Sequence, residues 1–448
     1  MTDAAPVDLL IRDASWVVGG AGPDQPAGWV ACTDGLVVAI GASGAEPPAV
    51  RALSAQGALV TPGLVNAHHH LFQNLTRAFQ PVAELGLDGW LATLRPIWQR
   101  LDEEAAYESA WIGLAELALA GCTSTVDNIY LHPGAGLVEA TIQAAGEVGL
   151  RLHACRGYLD RAVLDLPGAQ PSEVILDETA KLLANSHDPS PTARIQIAVG
   201  PTALTASSTG LLADIATLAA GYGARLHTHL FEQPGETEEA LRQHRRRPVA
   251  LLVEAGWSDR AWIAHGSYAA PADLAALASA GMALAHCPSS NLFLGGAAAP
   301  IRAALDAGVA VGLGTDGAAS AGLAALWLEA RMAVLLARQQ GGPAAMTARQ
   351  ALALATTGGA ACLGRQGELG VLAVGAQADL AVWEFGGPRY AGAYTDPVES
   401  WLRCGPPAVR HTVVGGQPVV LDGELVAAGL DHRLAAHTRI ARAWQQAG

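Results

Sequence analysis

Several features that would place this chain of 448 residues in other classes are missing. No apolar run approaches the roughly 20 residues of a membrane-spanning helix, so no membrane partner is expected, although 51% of the residues are hydrophobic. The N-terminus lacks a basic segment followed by an apolar core, so we expect no signal peptide and a cytoplasmic protein. The formal net charge is −14, and the only basic run is the three arginines at 245–247, which argues against a nucleic-acid partner.

Closely spaced cysteines are also missing, and lysine is nearly absent. The six cysteines are scattered without a CxxC pair, which argues against a disulfide framework and against a cysteine-based zinc site. We therefore expect reduced cysteines that mostly fill the core. Lysine occurs once, at Lys181, whereas arginine is plentiful.

The two ends of the chain share one pattern. Residues 1–60 contain short apolar strands separated by glycine, and a similar pattern returns after residue 364. We therefore predict a small β-sandwich subdomain built from residues 1–60 and 365–448, the latter also carrying a terminal helix.

Between residues 61 and 364 the pattern changes to short apolar runs that alternate with amphipathic segments. Eight such runs are present, and several of the amphipathic segments between them end in glycine. Eight βα units over this length predict an α/β fold of the (β/α)8 barrel type. A doubly wound open sheet is the alternative, but it favours a GxGxxG turn after the first strand, which the chain lacks.

The stretch TPGLVNAHHHLFQ, residues 61–73, has the strongest chemical signal. Its apolar run ends in three histidines, and side chains alternate along a strand, so His68 and His70 lie on one face. Two imidazoles placed in this way can bind one metal ion. The alternative for an isolated HxH motif is a polar strand end, and His69, on the opposite face, is expected to be structural.

Other ionisable residues end later strands of the predicted barrel. Functional side chains of such barrels lie at the C-terminal ends of the strands. Three imidazoles and one carboxylate suit zinc or iron, and this set is supplied by His68, His70, His229 and Asp316. His227 shares the strand face of His229 and is the alternative ligand. We choose His229 because Glu232, three residues later, can transfer protons beside the metal.

Further candidates lie near these strand ends. His265 is predicted to assist the attacking water or the substrate, and His286 is a weaker candidate for a substrate contact. The amide of Gln73 can donate and accept at once, which suits a heterocycle edge, or it can order its own loop. Trp90 and Trp98 can form an apolar wall for a flat ring, or belong to a helix core.

Five ordered segments of the chain resemble the amidohydrolase superfamily. These are the TPGLVNAHHH strand, HTHLFE, HCPSSN, GTDG and the late GELGVLAVGAQADLAVW stretch. Within the superfamily, the chain is similar to the aminohydrolase branch of cytosine and guanine deaminases and triazine hydrolases. The segments HHHLFQNLTRA and HCPSSN are most similar to those of 8-oxoguanine deaminases. Two loops depart from that pattern, at residues 127–130 and 318–322.

The resemblance implies one divalent ion, with zinc expected and iron as the alternative, held by the four ligands named above. Binuclear relatives use a carboxylated lysine on the fourth strand, and the run RIQIAVGPTA has none. Glu232 is then the proton shuttle, and Asp316 takes a proton from the attacking water. The implied reaction is hydrolytic deamination of a small planar N-heterocycle such as 8-oxoguanine, guanine or a pterin.

Alternatives to that reaction remain open at the level of sequence. They are a chloro- or amino-hydrolase of s-triazines, a ring-opening hydrolase of a cyclic amide, and a catalytically silent scaffold. The family resemblance also allows a homo-oligomer.

Overall fold

The barrel predicted for the central part of the chain is present in the computed structural model, which describes residues 5–19, 23–160 and 168–446. Its eight strands pair in parallel and in chain order from β6 to β13. They are β6 (Leu64–Asn66), β7 (Cys122–Ile129), β8 (Arg151–Tyr158), β9 (Ile195–Pro201), β10 (Arg225–Leu230), β11 (Ala261–His265), β12 (Ala283–His286) and β13 (Val311–Leu313). Nearly every residue of these strands is buried, which explains their continuous apolar runs.

The two edge strands of this sheet meet. Just beyond β6, the backbone N–H of Ala67 donates to the carbonyl of Leu313 in β13 at 2.8 Å. The side chain of Asn66 adds two bonds across the same seam, to the hydroxyl of Thr315 at 2.9 Å and from its backbone N–H at 3.0 Å. The open-sheet alternative is therefore wrong, because this seam brings the ends of the first and last strands together.

Helices surround the barrel and connect its strands. They are α1 (Leu87–Trp98), α2 (Glu103–Leu119), α3 (Leu137–Val148), α4 (Ser172–Ser186), α5 (Thr209–Tyr222), α6 (Glu236–His244), α7 (Pro248–Glu254), α8 (Pro271–Ala280), α9 (Pro288–Phe293), α10 (Ile301–Asp306), α11 (Ala318–Ala321), α12 (Leu326–Gly341), α13 (Ala348–Ala353) and α14 (Gly359–Cys362). Side chains cap three of them at the start: Asp102 accepts from Ala105 N, Ser208 accepts from Leu211 N, and Thr347 accepts from Gln350 N. In the described part of the chain, no helix is long and apolar enough to cross a membrane.

The chain ends form one nine-stranded sheet, as their shared pattern predicts. Its strands are β1 (Val7–Val17), β2 (Gln25–Thr33), β3 (Leu36–Ala42), β4 (Ala49–Ser54), β5 (Ala58–Pro62), β14 (Leu380–Glu384), β15 (Val409–Val414), β16 (Gln417–Leu421) and β17 (Glu424–Leu425). The two ends join where β5 pairs antiparallel with β14. A separate apolar cluster, which includes Ile11, Val60 and Val382, forms the core of this sheet.

The sheet of the chain ends is tied directly to the barrel. Only Gly63 separates β5 from β6, and its backbone N–H donates to the carbonyl of Asp379 at 3.0 Å. Arg151, at the start of β8, donates to both carboxylate oxygens of Asp379, at 2.8 and 3.1 Å, with both side chains buried. The strand that leads to His68 is thus positioned partly by residues near the C-terminus.

Two more helices belong to the C-terminal part of the chain: α15 (Pro397–Cys404) lies between β14 and β15, and α16 (Leu430–Gln446) follows β17. Helix α16 packs on the barrel rather than on the sheet: Arg433 pairs with Glu108 of α2 at 2.7 Å, and Ile440 and Trp444 belong to the barrel core. The domain limits at residues 60 and 364 stay a prediction.

Candidate active site

His68 and His70 follow the end of β6 and are buried at the mouth of the barrel. Burial lowers the pKa of His68 to about 3, and it lowers the pKa of His70 as well. Both rings are therefore neutral at pH 7, as a metal ligand requires.

The ring of His229, at the end of β10, faces that of His70. The Nδ1 of His70 lies 2.6 Å from the carbonyl oxygen of Asn128, and the Nδ1 of His229 lies 2.6 Å from that of Thr202. A carbonyl only accepts, so both Nδ1 atoms carry the proton and both Nε2 atoms carry a lone pair. These two Nε2 atoms are 3.0 Å apart. Two acceptors this close repel each other unless a cation lies between them.

His227, the alternative ligand, uses both of its ring nitrogens elsewhere. Its Nδ1 lies 3.1 Å from the carbonyl of Trp262, and its Nε2 lies 2.8 Å from the Nδ1 of His68. The ring also stacks on Trp262, with centroids 4.3 Å apart. His227 therefore accepts a hydrogen bond from His68, which leaves the Nε2 of His68 as a buried atom with no hydrogen-bond partner. This arrangement favours His229 as the ligand and gives His227 the task of orienting His68.

Asp316 adds a carboxylate to the three imidazoles. Its Oδ1 is 3.5 Å from the Nε2 of His68 and 3.4 Å from that of His70, and its Oδ2 accepts from the hydroxyl of Ser290 at 2.6 Å. Burial raises the pKa of Asp316, but the buried histidines that surround it, His68 foremost and then His265 and His70, hold the pKa well below its usual range. Asp316 is thus an anion at neutral pH.

These side chains fit a metal ion. The ligand atoms of His68, His70 and His229 all lie within 4.8 Å of one another, as do those of His68, His265 and Asp316. The donor set of imidazole nitrogens and one carboxylate suits zinc or iron. A metal ion would bind the unpaired Nε2 of His68 and the facing lone pairs of His70 and His229. No protein donor pairs with these three atoms in the described part of the chain.

Glu232 and His265 form a second pair beside these ligands. The Nε2 of His265 lies 3.6 Å from the Oε1 of Glu232, and its Nδ1 lies 2.8 Å from the amide oxygen of Asn291. Burial raises the pKa of Glu232 to about 7, although its side chain is 20% exposed to the pocket. For His265, burial lowers the pKa, but the carboxylates of Glu232 and Asp316 outweigh it and raise the pKa overall.

The backbone adopts a left-handed conformation at two residues of the site, His265 and Asp316, and at Phe231, which precedes Glu232. The φ angles are 57° at Phe231, 77° at His265 and 56° at Asp316. Such angles are costly for a phenylalanine and tend to cluster at functional sites. The angle at Phe231 is held by Glu236, which accepts from the N–H of Phe231 at 2.6 Å. This bend directs the next residue, Glu232, toward the pocket.

A pocket of about 190 Å³ lies over the cluster and has Asp316 and Glu232 in its wall. Gln73 and Trp90 also line it, so the structure brings two of the four predicted substrate contacts to the pocket. The amide nitrogen of Gln73 donates to the hydroxyl of Tyr130 at 3.4 Å, and its buried oxygen has no partner.

Trp98 and His286 are not in the wall of this pocket. Trp98 is fully buried and donates to the hydroxyl of Thr76, with Trp90 and Tyr130 packed edge-on against it. His286 is buried at the end of β12, where burial, with a smaller effect of His265, lowers its pKa to about 3. Trp98 therefore supports the wall from behind.

Sequence reasoning missed several side chains that hold the site. Asp127 accepts from the backbone N–H of Leu71 at 2.7 Å and so fixes the turn after His70. Ser290 and Asn291 position Asp316 and His265, respectively. Both lie in the HCPSSN segment, whose sequence indicated the family but did not predict these contacts. Tyr130 and Arg95 also line the pocket, and no local sequence pattern predicted this position for either residue.

Residues 59–419 match the amidohydrolase family, which covers most of the chain. This chain belongs to the amidohydrolase family. The resemblance of the five segments and the barrel prediction are therefore confirmed.

Amidohydrolase relatives of known activity match nearly the whole chain. The 8-oxoguanine deaminase of Pseudomonas aeruginosa is 38% identical, over 93% of this chain and 95% of that protein. The hydroxydechloroatrazine ethylaminohydrolase of a Pseudomonas species is 34% identical, over 95% of this chain and 88% of its own. An isoxanthopterin deaminase from an unknown prokaryote is 32% identical, over 94% and 93%.

Solved structures show the same fold. The atrazine chlorohydrolase of Arthrobacter aurescens, complexed with zinc, matches with a TM-score of 0.92 and 30% identity, over 97% of this chain and all of that one. An adenosine deaminase from Xanthomonas campestris with bound zinc matches with a TM-score of 0.88 and 25% identity, over 98% and 99%.

Proposed function

We propose that this amidohydrolase hydrolytically deaminates a planar amino-substituted N-heterocycle, of the 8-oxoguanine, guanine or pterin type, and releases ammonia. The observation that carries the proposal is the convergence of three neutral imidazoles and the Asp316 carboxylate beside Glu232, whose pKa is raised to about 7. Two of the relatives described above are deaminases of bicyclic heterocycles, which agrees with this choice.

One divalent ion, with zinc favoured over iron, would be held by His68, His70, His229 and Asp316. When bound, it supplies Lewis acidity that makes water a competent nucleophile at neutral pH. Zinc is favoured because the structural neighbours named above carry it.

The proton transfers follow from the positions of the side chains. The attacking water forms a bond from its oxygen to the ring carbon that carries the amine. At the same time, the Asp316 carboxylate accepts a proton from this water. Glu232, with a pKa near 7, is partly protonated at neutral pH and can donate to the adjacent ring nitrogen. The proton held by Asp316 then moves to the exocyclic nitrogen, the C–N bond breaks, and ammonia leaves. Glu232, now a carboxylate, takes the proton of the new hydroxyl group, which becomes the carbonyl. His265 positions Glu232 and the attacking water.

The pocket wall supplies binding for a flat ring. Trp90 offers an apolar surface, and the free amide oxygen of Gln73 can accept from a ring N–H. Burial raises the pKa of the Tyr130 hydroxyl, which therefore stays protonated and can donate. Trp98, which packs against Trp90 and Tyr130, would act on the substrate only through these two wall residues. His286 does not line the pocket.

A second candidate is hydrolysis of an s-triazine at a chloro or amino substituent. It is favoured by the match to the atrazine chlorohydrolase with a TM-score of 0.92. Both candidates place water at a ring carbon of a small aromatic heterocycle. They differ in the ring that is attacked and, for a chloro substituent, in the leaving group, so the substrate and the product together separate them.

The test is a screen of the zinc-loaded protein for ammonia and chloride release. Substrates are guanine, 8-oxoguanine, isocytosine, pterins, melamine and a chlorinated s-triazine, and bound metal is measured on the same sample. Ammonia from a purine or pterin ring supports the proposal. Chloride release, or ammonia only from triazines, supports the second candidate. A metal-loaded protein inert to the whole panel would refute both.

A further inference from the structure

Arg95 is a cationic residue in a pocket wall whose other charged groups are mainly acidic. It lies in the last turn of α1, and the same pocket contains Asp88, Glu232, Glu236 and Asp316. The carboxylates of Glu232, Glu236 and Asp316 come from later parts of the chain, whereas Asp88 lies in the first turn of the same helix as Arg95.

The guanidinium group of Arg95 has no protein partner within the described residues. Its Nε is buried without a hydrogen bond, and none of its nitrogens forms a hydrogen bond or an ion pair with a described residue. Other arginines with limited exposure differ: Arg77 pairs with Glu116, and Arg156 pairs with Glu178 at 2.5 Å. The charges of Asp88 and Glu232 reach Arg95 only at longer range.

An unpaired, partly buried guanidinium lowers stability unless a ligand completes it, because its N–H donors have lost water without gaining acceptors. The planar fork of arginine suits oxygen atoms that carry negative charge, such as a carboxylate or the oxygen of an ionisable ring carbonyl. The pocket that contains Arg95 is the one over the predicted metal ligands, so this oxygen belongs to the substrate.

We propose that Arg95 is a specificity-determining residue that binds an anionic or anion-like oxygen on the heterocycle, away from the amine that is hydrolysed. This inference rests on the proposed function for the identity of the ring. It narrows the substrate class to amino-heterocycles that carry an additional ring oxygen or a carboxylate.

Three ligands with the same aminopyrimidinone ring separate the sources of that oxygen. They are pterin, isoxanthopterin, which adds a ring oxygen, and pterin-6-carboxylate. Ammonia release gives kcat and KM for each ligand with the zinc-loaded protein. Fluorescence titration gives Kd in the Glu232→Gln background, so that binding is measured without turnover.

The expected result is binding of at least one oxygen-bearing ligand roughly tenfold to a hundredfold more tightly than pterin. Arg95→Leu abolishes that advantage and leaves the Kd of pterin nearly unchanged. Arg95→Lys keeps part of it, because the charge remains and the fork is lost. Arg302→Leu, which removes an exposed arginine of α10, is the control for net charge and leaves the advantage intact.

Thermal unfolding distinguishes binding from a structural role. Without ligand, Arg95→Leu is expected to melt no lower than the natural protein, because the lost side chain has no partner there. Pterin binding as tight as that of both oxygen-bearing ligands, or an advantage that survives in Arg95→Leu, would overturn the inference. If the three rings bind with this pattern but neither they nor guanine and 8-oxoguanine release ammonia, the proposed function fails and the assignment of Arg95 stands.

Discussion

The Nε2 atoms of His70 and His229 lie 3.0 Å apart, while both Nδ1 atoms face backbone carbonyls at 2.6 Å. Each ring is therefore fixed in the tautomer whose lone pair points at the other ring. Backbone groups of β7 and of the loop after β9 impose this geometry, because they supply the two carbonyls. The repulsion between the lone pairs is relieved by a cation, so metal binding and stability are coupled.

Metal binding distinguishes the two histidines of β10. His229→Ala is expected to lose the metal and the metal-dependent rise in melting temperature. His227→Ala keeps the metal with an affinity lower by about 10- to 100-fold, since it removes only the group that orients His68. Competition with a zinc chelator measures both affinities, and His432→Ala, on the surface of α16, is the control. Full metal occupancy in His229→Ala combined with loss in His227→Ala would show that the assignment is reversed.

Replacement of Glu232 separates proton transfer from metal binding. Glu232→Gln keeps the shape of the side chain but not its titration, so kcat is expected to fall by about a hundredfold to ten-thousandfold. Bound zinc, measured by elemental analysis, stays at the natural level. Glu238→Gln, an exposed change in the neighbouring helix, leaves both quantities unchanged. A Glu232→Gln enzyme with natural kcat would exclude the shuttle role.

Gly317 controls the position of Gln73. A Cβ at Gly317 would lie 1.8 Å from the Oε1 of Gln73, whereas the backbone of Gly317, with φ of −75°, accepts alanine. Gly317→Ala is therefore expected to displace the Gln73 amide and raise KM, and Gln73→Ala is expected to raise KM in the same way. The double variant should be no worse than either single one, because both remove one contact. Gly146→Ala, in a helix with open space around it, is the control.

Additive effects of Gly317→Ala and Gln73→Ala on KM would mean that the glycine acts through the adjacent Asp316. Zinc content of each variant distinguishes that case directly, because a displaced Asp316 weakens metal binding whereas a displaced Gln73 leaves it intact.

The buried carboxyl of Glu329 predicts a fall in stability with rising pH. Glu329 accepts from the N–H of Ser289 at 3.0 Å, and burial raises its pKa from 4.5 to about 7. Between these pH values the unfolded chain releases the proton and the folded chain keeps it, so this stabilisation is complete below pH 4.5 and lost as pH rises through 7. The loss is at most about 3 kcal/mol.

Urea unfolding at pH 5 and pH 8 measures this effect. In Glu329→Gln the group cannot ionise, so the difference in free energy of unfolding between the two pH values should shrink relative to the natural protein. Glu173→Gln, at the exposed start of α4, should leave it unchanged. An equal pH dependence in Glu329→Gln and the natural protein would contradict a raised pKa.

The barrel could be predicted because each of its strands is buried on both faces and so appears as a continuous apolar run. The HxH motif and the strand-end position of Asp316 follow from the same alternation and from strand polarity. The pairing of His227 with His68 could not be predicted, since it depends on which ring nitrogen meets which carbonyl across separate strands. The position of Trp98 behind Trp90 depends on how α1 is rotated against the barrel, and its apolar pattern does not fix that rotation.

Because only one residue separates β5 from β6, the position of the first two metal ligands depends on strands that are synthesised much later. His68 and His70 follow a strand whose neighbour β5 pairs with β14, and Gly63 hydrogen-bonds to Asp379. The ribosome makes those partners more than 300 residues after the histidines. During translation the first two ligands therefore emerge long before the sheet that positions them, and a chain interrupted before β14 leaves one edge of β5 unpaired. We therefore expect the metal ion to bind late, after β14 has been synthesised.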